Sequence, residues 1–402
     1  MSASTTNLSP KNSTAASVFT KQLRANLQTY ALIMALIVIW IVFDITTGGL
    51  YLSAQNFSNL FRQMTVTAFL SVGMVLVIVT GGIDLSVGRL AGWVSVWVAF
   101  FQANIWNHVL PEQQVLTTIL SVLVGLGIGT IYGIVQGYII AYLNVTAFIV
   151  TLGSMWILNG LILIRTGGKT IPSNQPKFSI IGQGYLPDWA GWILAGLVVL
   201  LLFYMMFSSR RRKVNFGFEV PSFTLDLAKT IFFSALVVGF VFYVNQYSGV
   251  SNPVLILAVF AVVVSYVSNN TRFGRYAYAI GGNREAARLS GININKNIFM
   301  IFVLMGFLCG VSGVVMASYL GYGTIAAGSG YELYAIAACI LGGTSTLGGV
   351  GTISGAMIGA LIMASLINGL QIMNVASSWQ YVLNGLVLVV AVLADVYLKK
   401  NR

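Results

Sequence analysis

The sequence predicts an all-α polytopic membrane protein with about 10–12 transmembrane helices, two glycine-rich loops that break helices, and one short helix on a membrane face. Composition is the first observation: 57% of the 402 residues are hydrophobic and 7% are charged, whereas soluble domains carry about 25% charged residues. The second is that apolar stretches long enough to cross a bilayer as a helix recur along the whole chain. Most of the chain is therefore expected to lie in lipid.

Twelve apolar segments are predicted at membrane depth, within one transmembrane domain that covers residues 28–402. Residues 1–27 precede it, and their many small polar side chains predict a disordered tail. The tenth segment is about half a span long, so it should stop inside the membrane or pair with its neighbour. The predicted segments are 28–48, 62–80, 86–104, 116–141, 145–165, 190–207, 230–246, 252–268, 298–320, 331–341, 350–372 and 379–397.

The positions of the basic residues predict the orientation in the membrane. Cytoplasmic connections of membrane proteins carry an excess of Lys and Arg. With the N-terminus inside, 16 of the 21 Lys and Arg residues fall in cytoplasmic segments, four fall outside, and Arg89 falls near a membrane loop. Both termini, including the tail 1–27, are therefore predicted to be cytoplasmic. The same distribution accounts for the net charge of +12 without a nucleic-acid partner.

The predicted cytoplasmic loop 269–297 contains signals for a short helix between Asn283 and Gly291. Asn283 is a good N-cap, Glu285 lies in the first turn, and Gly291 supplies a C-terminal stop. A helix of about seven residues is roughly 10 Å long, too short to span a bilayer. It must lie on a membrane face, either as an ordinary surface helix or as a contact for another protein.

Regular glycine spacing predicts where helices approach one another closely. Four glycines recur every four residues in the fourth predicted span, and two later pairs repeat this spacing. Close helix packing is the favoured interpretation over a direct transport role. The residues are Gly125, Gly129, Gly133, Gly137, Gly306, Gly310, Gly355 and Gly359.

Two segments rich in glycine and hydroxyl groups, 80–88 and 341–351, lie at membrane depth. Irregular backbone at this depth is tolerated only where protein or a water-filled cavity surrounds it, and paired interruptions indicate a transport pathway. An acidic group there costs roughly 2.5–3.5 kcal/mol on insertion scales, so Asp84 should face a polar cavity or cap the helix that follows. The candidate pathway residues in these loops are Asp84, Ser86, Thr344 and Ser345.

Two further pathway candidates, Asn368 and Gln371, share one face near the outer end of a late span. They could hydrogen-bond a polyhydroxylated solute, although bonds to neighbouring helices are the favoured interpretation. The outer loops 165–189 and 321–330, with Glu332 just beyond them, would either dock an extracytoplasmic partner or be solvated surface.

Chemistry-bearing motifs are sparse, so an enzyme is not expected. The residues Gly168, Lys169 and Thr170 resemble the end of a phosphate-binding loop, but Leu163 stands where the first glycine is required. The sequence contains no GxSxG motif and a single histidine, His108. We therefore expect no catalytic residue, no metal site and no cofactor in this chain.

Three separated motifs resemble those of permease subunits in bacterial ATP-binding-cassette importers. Residues 285–291, EAARLSG, begin with EAA and end in glycine, as does the EAA loop that they resemble in those subunits. The preceding RFGRYAYAIGGN at 272–283 resembles the ribose, xylose and galactose branch, as do GIDLSVG at 82–88 and LGGTS at 341–345. The resemblance runs from about residue 28 to the C-terminus.

This resemblance implies a location in the bacterial cytoplasmic (inner) membrane and three kinds of protein partner, besides the surrounding lipid. A cytoplasmic ATPase, which binds ATP and Mg, would receive the coupling helix; a periplasmic or surface-tethered binding protein would deliver the sugar. A second permease subunit, expected to be a copy of this chain, would complete the pathway. The ATPase-coupling residues implied are Gly282, Asn283, Glu285, Ala286, Ala287, Arg288 and Gly291.

An extra two-span insertion at about 190–250 is similar to one in xylose-type permeases, so the resemblance favours xylose or a related pentose or hexose. The main alternative is a self-contained, ion-coupled secondary sugar transporter, for which Asp84 would be the intramembrane acid. An exporter or lipid-linked subunit of the same class is a second alternative.

Overall fold

The computed structural model describes residues 27–400, except 174, 219 and 221. The predicted tail at 1–27 therefore lies outside the described residues, apart from Leu27. The helix Val87–Phe100 continues through a π-helical turn, Phe101–Trp106, and a short turn, Asn107–Val109. The helices are α1 Leu27–Thr46, α2 Ala54–Val79, α3 Val87–Phe100, α4 Gln114–Ala141, α5 Ala147–Thr166, α6 Pro176–Gln183, α7 Asp188–Asn215, α8 Phe223–Asn245, α9 Asn252–Asn270, α10 Arg272–Gly282, α11 Arg284–Leu289, α12 Ile294–Leu320, α13 Tyr331–Leu341, α14 Ile353–Ile372 and α15 Ser377–Lys400.

The all-α membrane architecture is confirmed. Within the described part of the chain, eight helices are long and apolar enough to cross a membrane: α2, α4, α5, α7, α8, α9, α12 and α14. Shorter apolar helices lie in α1, α13 and α15. With α3, a helix stands at each of the twelve predicted segments, and α13 has the 11 residues of the predicted half-span.

Helices α2 and α12 form the centre of the molecule. In the most apolar 18-residue stretch of α2, 89% of the residues are buried inside the protein. In the corresponding stretches of α5, α7 and α8, 17% are buried. The outer helices therefore present apolar side chains to lipid, which is as apolar as they are. Helix α2 begins at Ala54, eight residues before the predicted span, because Ser53 caps it by accepting a bond from the Asn56 N–H group.

The connections on one side of the bundle are tied together. Strand β1 (Ile171–Pro172) pairs antiparallel with β2 (Tyr322–Gly323), and an isolated bridge joins Tyr185 to Ser251. These are connections that the predicted orientation places outside, so their pairing agrees with one common face. Helices α7 and α8, which correspond to the predicted insertion, pack against each other.

The predicted glycine contacts are present between α4 and α12. A Cβ atom on Gly129 would lie 2.4 Å from the Gly306 carbonyl oxygen, and one on Gly306 would lie 2.4 Å from the Gly129 carbonyl oxygen. No side chain can stand between these two backbones. Gly359 likewise faces the Ala338 carbonyl oxygen of α13, and Gly355 faces the Gly342 carbonyl oxygen just after α13, so the close-packing interpretation is confirmed.

We expect Gly129→Val to prevent stable folding, because overpacking by a few methyl groups costs about 1–3 kcal/mol or more where the backbone cannot move. Gly127→Val on the same helix is the matched control, since a Cβ there meets no atom within 4 Å. The yield of monodisperse protein after size-exclusion chromatography is the measurement. Equal yields for the two variants would contradict the prediction.

Candidate functional site

The predicted short helix is present as α11, and its two ends have the expected caps. The Asn283 side chain accepts a hydrogen bond of 2.9 Å from the Ala286 N–H group. At the other end the Gly291 N–H group bonds to the Arg288 carbonyl, and the Ile292 N–H group bonds to the Ala287 carbonyl. Gly291 has a φ of +79°, which makes this a Schellman C-terminus and accounts for the glycine. The helix is held as a rigid unit.

One face of α11 is anchored and the other is open. Ala287 is buried against Ile280 and Ile294. On the opposite face Glu285 and Arg288 form an exposed ion pair at 2.9 Å. Leu289, which sequence reasoning missed, is 81% exposed. An exposed charged pair beside an exposed leucine is a surface that another protein can bind.

The second glycine-rich loop meets the end of α2, where the first loop begins, beside this helix. The Gly349 N–H group of the second loop donates a 2.8 Å hydrogen bond to the carbonyl of Val79, at the end of α2 where the first loop starts. Gly281 packs into this junction: a Cβ atom on it would lie 1.7 Å from the Val79 carbonyl oxygen and 2.6 Å from the Gly349 nitrogen. Both loops therefore reach the end of the bundle that carries α10 and α11.

Helix α10 makes a second connection to the same loop. The Tyr278 hydroxyl donates a 2.8 Å hydrogen bond to the Gly351 carbonyl. Nearby, Leu347 at the tip of the second loop is 82% exposed. Helices α10 and α11 and the second loop thus contribute to one surface, and α10 links α11 to that loop. Nothing in the sequence pattern links Gly281 or Tyr278 to positions so distant along the chain.

The predicted pathway residues of the first loop form a closed network. The Asp84 carboxylate accepts bonds of 2.9 Å from the Ser86 N–H group and 2.6 Å from its hydroxyl. Gln136 of α4 donates to the Ser86 hydroxyl at 3.1 Å. Asp84 is 2% exposed, so in this conformation it stabilises the turn before α3 and is shut off from solvent. The N-cap of α3 is Ser86, and Asp84 bonds to the N–H group of that residue rather than to one inside the helix, so Asp84 lies at the start of α3 without being its N-cap.

We expect Asp84→Ala to lower expression and uptake, because it leaves the buried Ser86 N–H group without its acceptor, at a cost of about 1–3 kcal/mol. Asp84→Asn is the matched control, since an amide oxygen can accept the same bond. Membrane yield and sugar uptake are the measurements. If Asn were as damaging as Ala, the negative charge itself would be required and the turn-stabilising role would be wrong.

The second loop's candidates are also buried. The Ser345 N–H group bonds to the Val350 carbonyl at 2.8 Å, and its hydroxyl accepts a bond from the Leu347 N–H group at 3.2 Å. These bonds close the loop on itself. Thr344 is fully buried, and its hydroxyl has no hydrogen-bond partner among the described residues.

Asn368 and Gln371 lie at the other end of α14, away from the glycine loops. Asn368 exchanges two hydrogen bonds with Asn56 of α2, at 3.0 and 3.1 Å. Gln63 of α2 donates to the Gln371 side-chain oxygen at 2.9 Å. The interpretation as bonds between helices is therefore right for Asn368. Gln371 makes such a bond and also lines a cavity.

That cavity has a volume of about 210 Å³ and is bounded by α2, the start of α13, α14 and α15. Its wall contains three glutamines, three tyrosines and hydroxyl side chains, and none of the described residues that line it is charged. The polar lining residues are Gln63, Thr67, Ser329, Tyr331, Tyr334, Gln371, Ser377, Gln380 and Tyr381.

Two charged residues stand behind this wall, and sequence reasoning misplaced one of them. Arg89 donates to the Ile325 carbonyl at 2.9 Å and to the Ser329 hydroxyl at 2.8 Å, which holds the segment before α13 against α3. Glu332 is buried in the first turn of α13 against Gly88. It is therefore not available to dock an extracytoplasmic partner.

Among the described residues, no group of three or more His, Cys, Asp or Glu side chains could hold a metal ion. In the described part of the chain, two regions offer exposed or polar groups on helices that lead to the glycine loops. One is the surface formed by α10, α11 and the second glycine loop. The other is the uncharged polar cavity at the opposite end of α2 and α14.

Comparison with known proteins identifies the family of this chain. Residues 56–392 match the family described as the permease component of branched-chain amino acid transport systems. The xylose transport system permease protein XylH of Haemophilus influenzae is 41% identical over 94% of this chain and 98% of its own length. The galactose/methyl galactoside import permease protein MglC of the same organism is 33% identical over 86% of this chain and 87% of its own length.

The ribose import permease protein RbsC of Escherichia coli K12 is 33% identical over 91% of this chain and 92% of its own length. No solved structure matches the chain significantly. The matches cover nearly the whole chain and include both glycine loops and α11. The chain therefore belongs to the family of membrane permease components that includes the xylose, ribose and galactose permeases.

Proposed function

We propose that this chain is the membrane-spanning permease subunit of an ATP-binding-cassette importer that carries a monosaccharide, xylose or a related pentose or hexose, into the cytoplasm. The similarity over nearly full length to the xylose permease carries this proposal. The exposed, capped α11, linked through α10 to the second glycine loop and to the end of α2, supports it independently. A secondary transporter has no need of such a helix.

The partners follow from the same proposal. A separate cytoplasmic ATPase, which binds ATP and Mg, contacts α11; a sugar-binding protein delivers the solute on the other face. A second copy of this chain completes the pathway in the bacterial inner membrane, with both termini in the cytoplasm. The proposed ATPase-coupling residues are Gly282, Asn283, Glu285, Ala286, Ala287, Arg288 and Gly291, to which we add the exposed Leu289.

The order of contacts supports a mechanical route from ATPase to solute. Closure of the ATPase pair pushes α11, which moves with α10 because Asn283 joins them directly. Helix α10 contacts the end of α2 through Gly281 and the second glycine loop through Gly281 and Tyr278. The loops continue into α2, α13 and α14, and these helices form the walls of the polar cavity. Movement at the cytoplasmic end can thus change the cavity at the other end.

The decisive test is reconstitution. Proteoliposomes that contain this chain, its ATPase and its binding protein are expected to accumulate radiolabelled xylose only when ATP is present on the side of the bilayer that carries the ATPase. Liposomes with this chain alone should take up none. Accumulation by the chain alone, driven by a proton or sodium gradient, would establish the secondary-transporter alternative instead.

A further inference from the structure

The polar cavity is connected to the transport machinery by the helices that form it. Gln63 and Thr67 lie on α2, which runs from the cavity to the first glycine loop. Tyr331 and Tyr334 lie on α13, which runs to the second loop, and Gln371 lies on α14, which returns from it. A second polar cavity, about 150 Å³ and lined by Gln102, Gln114 and Gln175 among others, touches neither α2 nor α14. Only the first is placed to respond to loop movement.

The lining of this cavity matches a neutral, polyhydroxylated molecule. Each glutamine amide offers two donors and an acceptor, which is what pairs best with hydroxyl groups that both donate and accept. Tyrosine rings supply flat apolar faces with a polar edge. An amino acid, by contrast, carries a carboxylate and an ammonium group that would each need an opposite charge when taken out of water.

The arrangement of amides is also adjustable. Gln63 and Gln371 are bonded to each other in the cavity wall at 2.9 Å, so a hydroxyl group can replace either partner without leaving a polar atom unpaired. Gln380 donates to the Val375 carbonyl at 2.8 Å and keeps its side-chain oxygen available. A volume of about 210 Å³ is below the 300–1,000 Å³ usual for drug-sized ligands and suits a single sugar ring.

We propose that this cavity is a monosaccharide-binding site of the permease itself, with Gln63, Gln371 and Gln380 bonding sugar hydroxyls and Tyr381 covering one face of the ring. This rests on the proposed function, because the sugar class comes from it. It goes further in giving the permease its own selectivity: the binding protein captures the sugar, and the permease holds it weakly before the loops move.

The site is tested by measuring the binding of D-xylose to the purified chain in lipid nanodiscs. Saturation-transfer difference NMR is the measurement, with D-xylose as the probe. The wild-type chain should give a xylose signal, and L-leucine at the same concentration should give none. Gln371→Leu and Tyr381→Ala should each weaken the signal by about tenfold. Tyr381 is 66% exposed, so its replacement leaves folding intact even if Gln371→Leu does not.

Gln114→Leu, in the second cavity, is the matched control and should keep the wild-type signal. The site is overturned if the cavity variants retain the full signal, if Gln114→Leu loses it equally, or if leucine gives a signal as strong as that of xylose. ATP-driven xylose uptake by the reconstituted wild-type importer separates the two ideas. Uptake without any NMR signal refutes the site alone, whereas absence of monosaccharide uptake refutes the proposed function.

Discussion

Gly281→Ala is expected to abolish sugar uptake while the ATPase still binds. The added methyl group would lie 1.7 Å from the Val79 carbonyl oxygen and 2.6 Å from the Gly349 nitrogen. Both are backbone atoms, so no side-chain rotation can make room, and α10 must separate from the loops. The hydrogen bond between Gly349 and Val79 is then strained or lost. The surface of α11 that meets the ATPase, however, is built by its own caps and is unaffected.

The measurements are xylose uptake in cells and recovery of the ATPase with the affinity-purified permease. We expect uptake to fall by at least about tenfold, which corresponds to a rise of about 1.4 kcal/mol or more in the barrier to transport, with ATPase recovery unchanged. Gly196→Ala in α7 is the matched control, because a Cβ there meets no atom within 4 Å. Wild-type uptake by Gly281→Ala would show that the contact between α10 and the loops does not carry the motion.

Glu285→Lys is expected to abolish uptake for a different reason: the ATPase no longer docks. Glu285 and Arg288 are an exposed pair, and such pairs contribute only about 0.2–1 kcal/mol to stability. The variant should therefore fold and insert normally. Reversal of the charge places two like charges on the open face of α11, where the partner must match them.

A charge swap separates docking from helix stability. Glu285→Arg combined with Arg288→Glu restores an ion pair within α11 but presents it in the opposite order. If the ATPase binds the Glu285 and Arg288 charges in their present positions, the double variant should remain unable to recover the ATPase in a pull-down. Recovery of uptake by the double variant would mean that only the internal pair matters, and normal uptake by Glu285→Lys alone would refute a docking role for Glu285.

The sequence predicted those features that depend on neighbours along the chain. The caps of α11 were predictable because an Asn, a first-turn acid and a Gly act within a few residues of each other. The half-length of α13 was predictable from hydropathy in the same way. The start of α2 was not, because Gln55, Asn56 and Ser58 lower the hydropathy of a turn that Ser53 nevertheless caps.

Contacts between distant segments could not be predicted from the sequence. The packing of Gly281 between Val79 and Gly349, and the bonds between Asn56 and Asn368, join residues of opposite ends of the chain whose types alone do not name a partner. Glu332 was misplaced for a related reason. An acid beside an outer loop is normally solvated, and only the close approach of Gly88 explains why this one is buried.

The junction between α10 and α11 consists of a single residue. The Asn283 N–H group ends α10 by bonding to the Ala279 carbonyl at 3.0 Å, while its side chain starts α11. Each residue of an α-helix turns the chain by about 100°, so one inserted residue would swing the charged face of α11 far from its present direction. Function should therefore tolerate many substitutions at the junction between α10 and α11. It should not tolerate an inserted or deleted residue there.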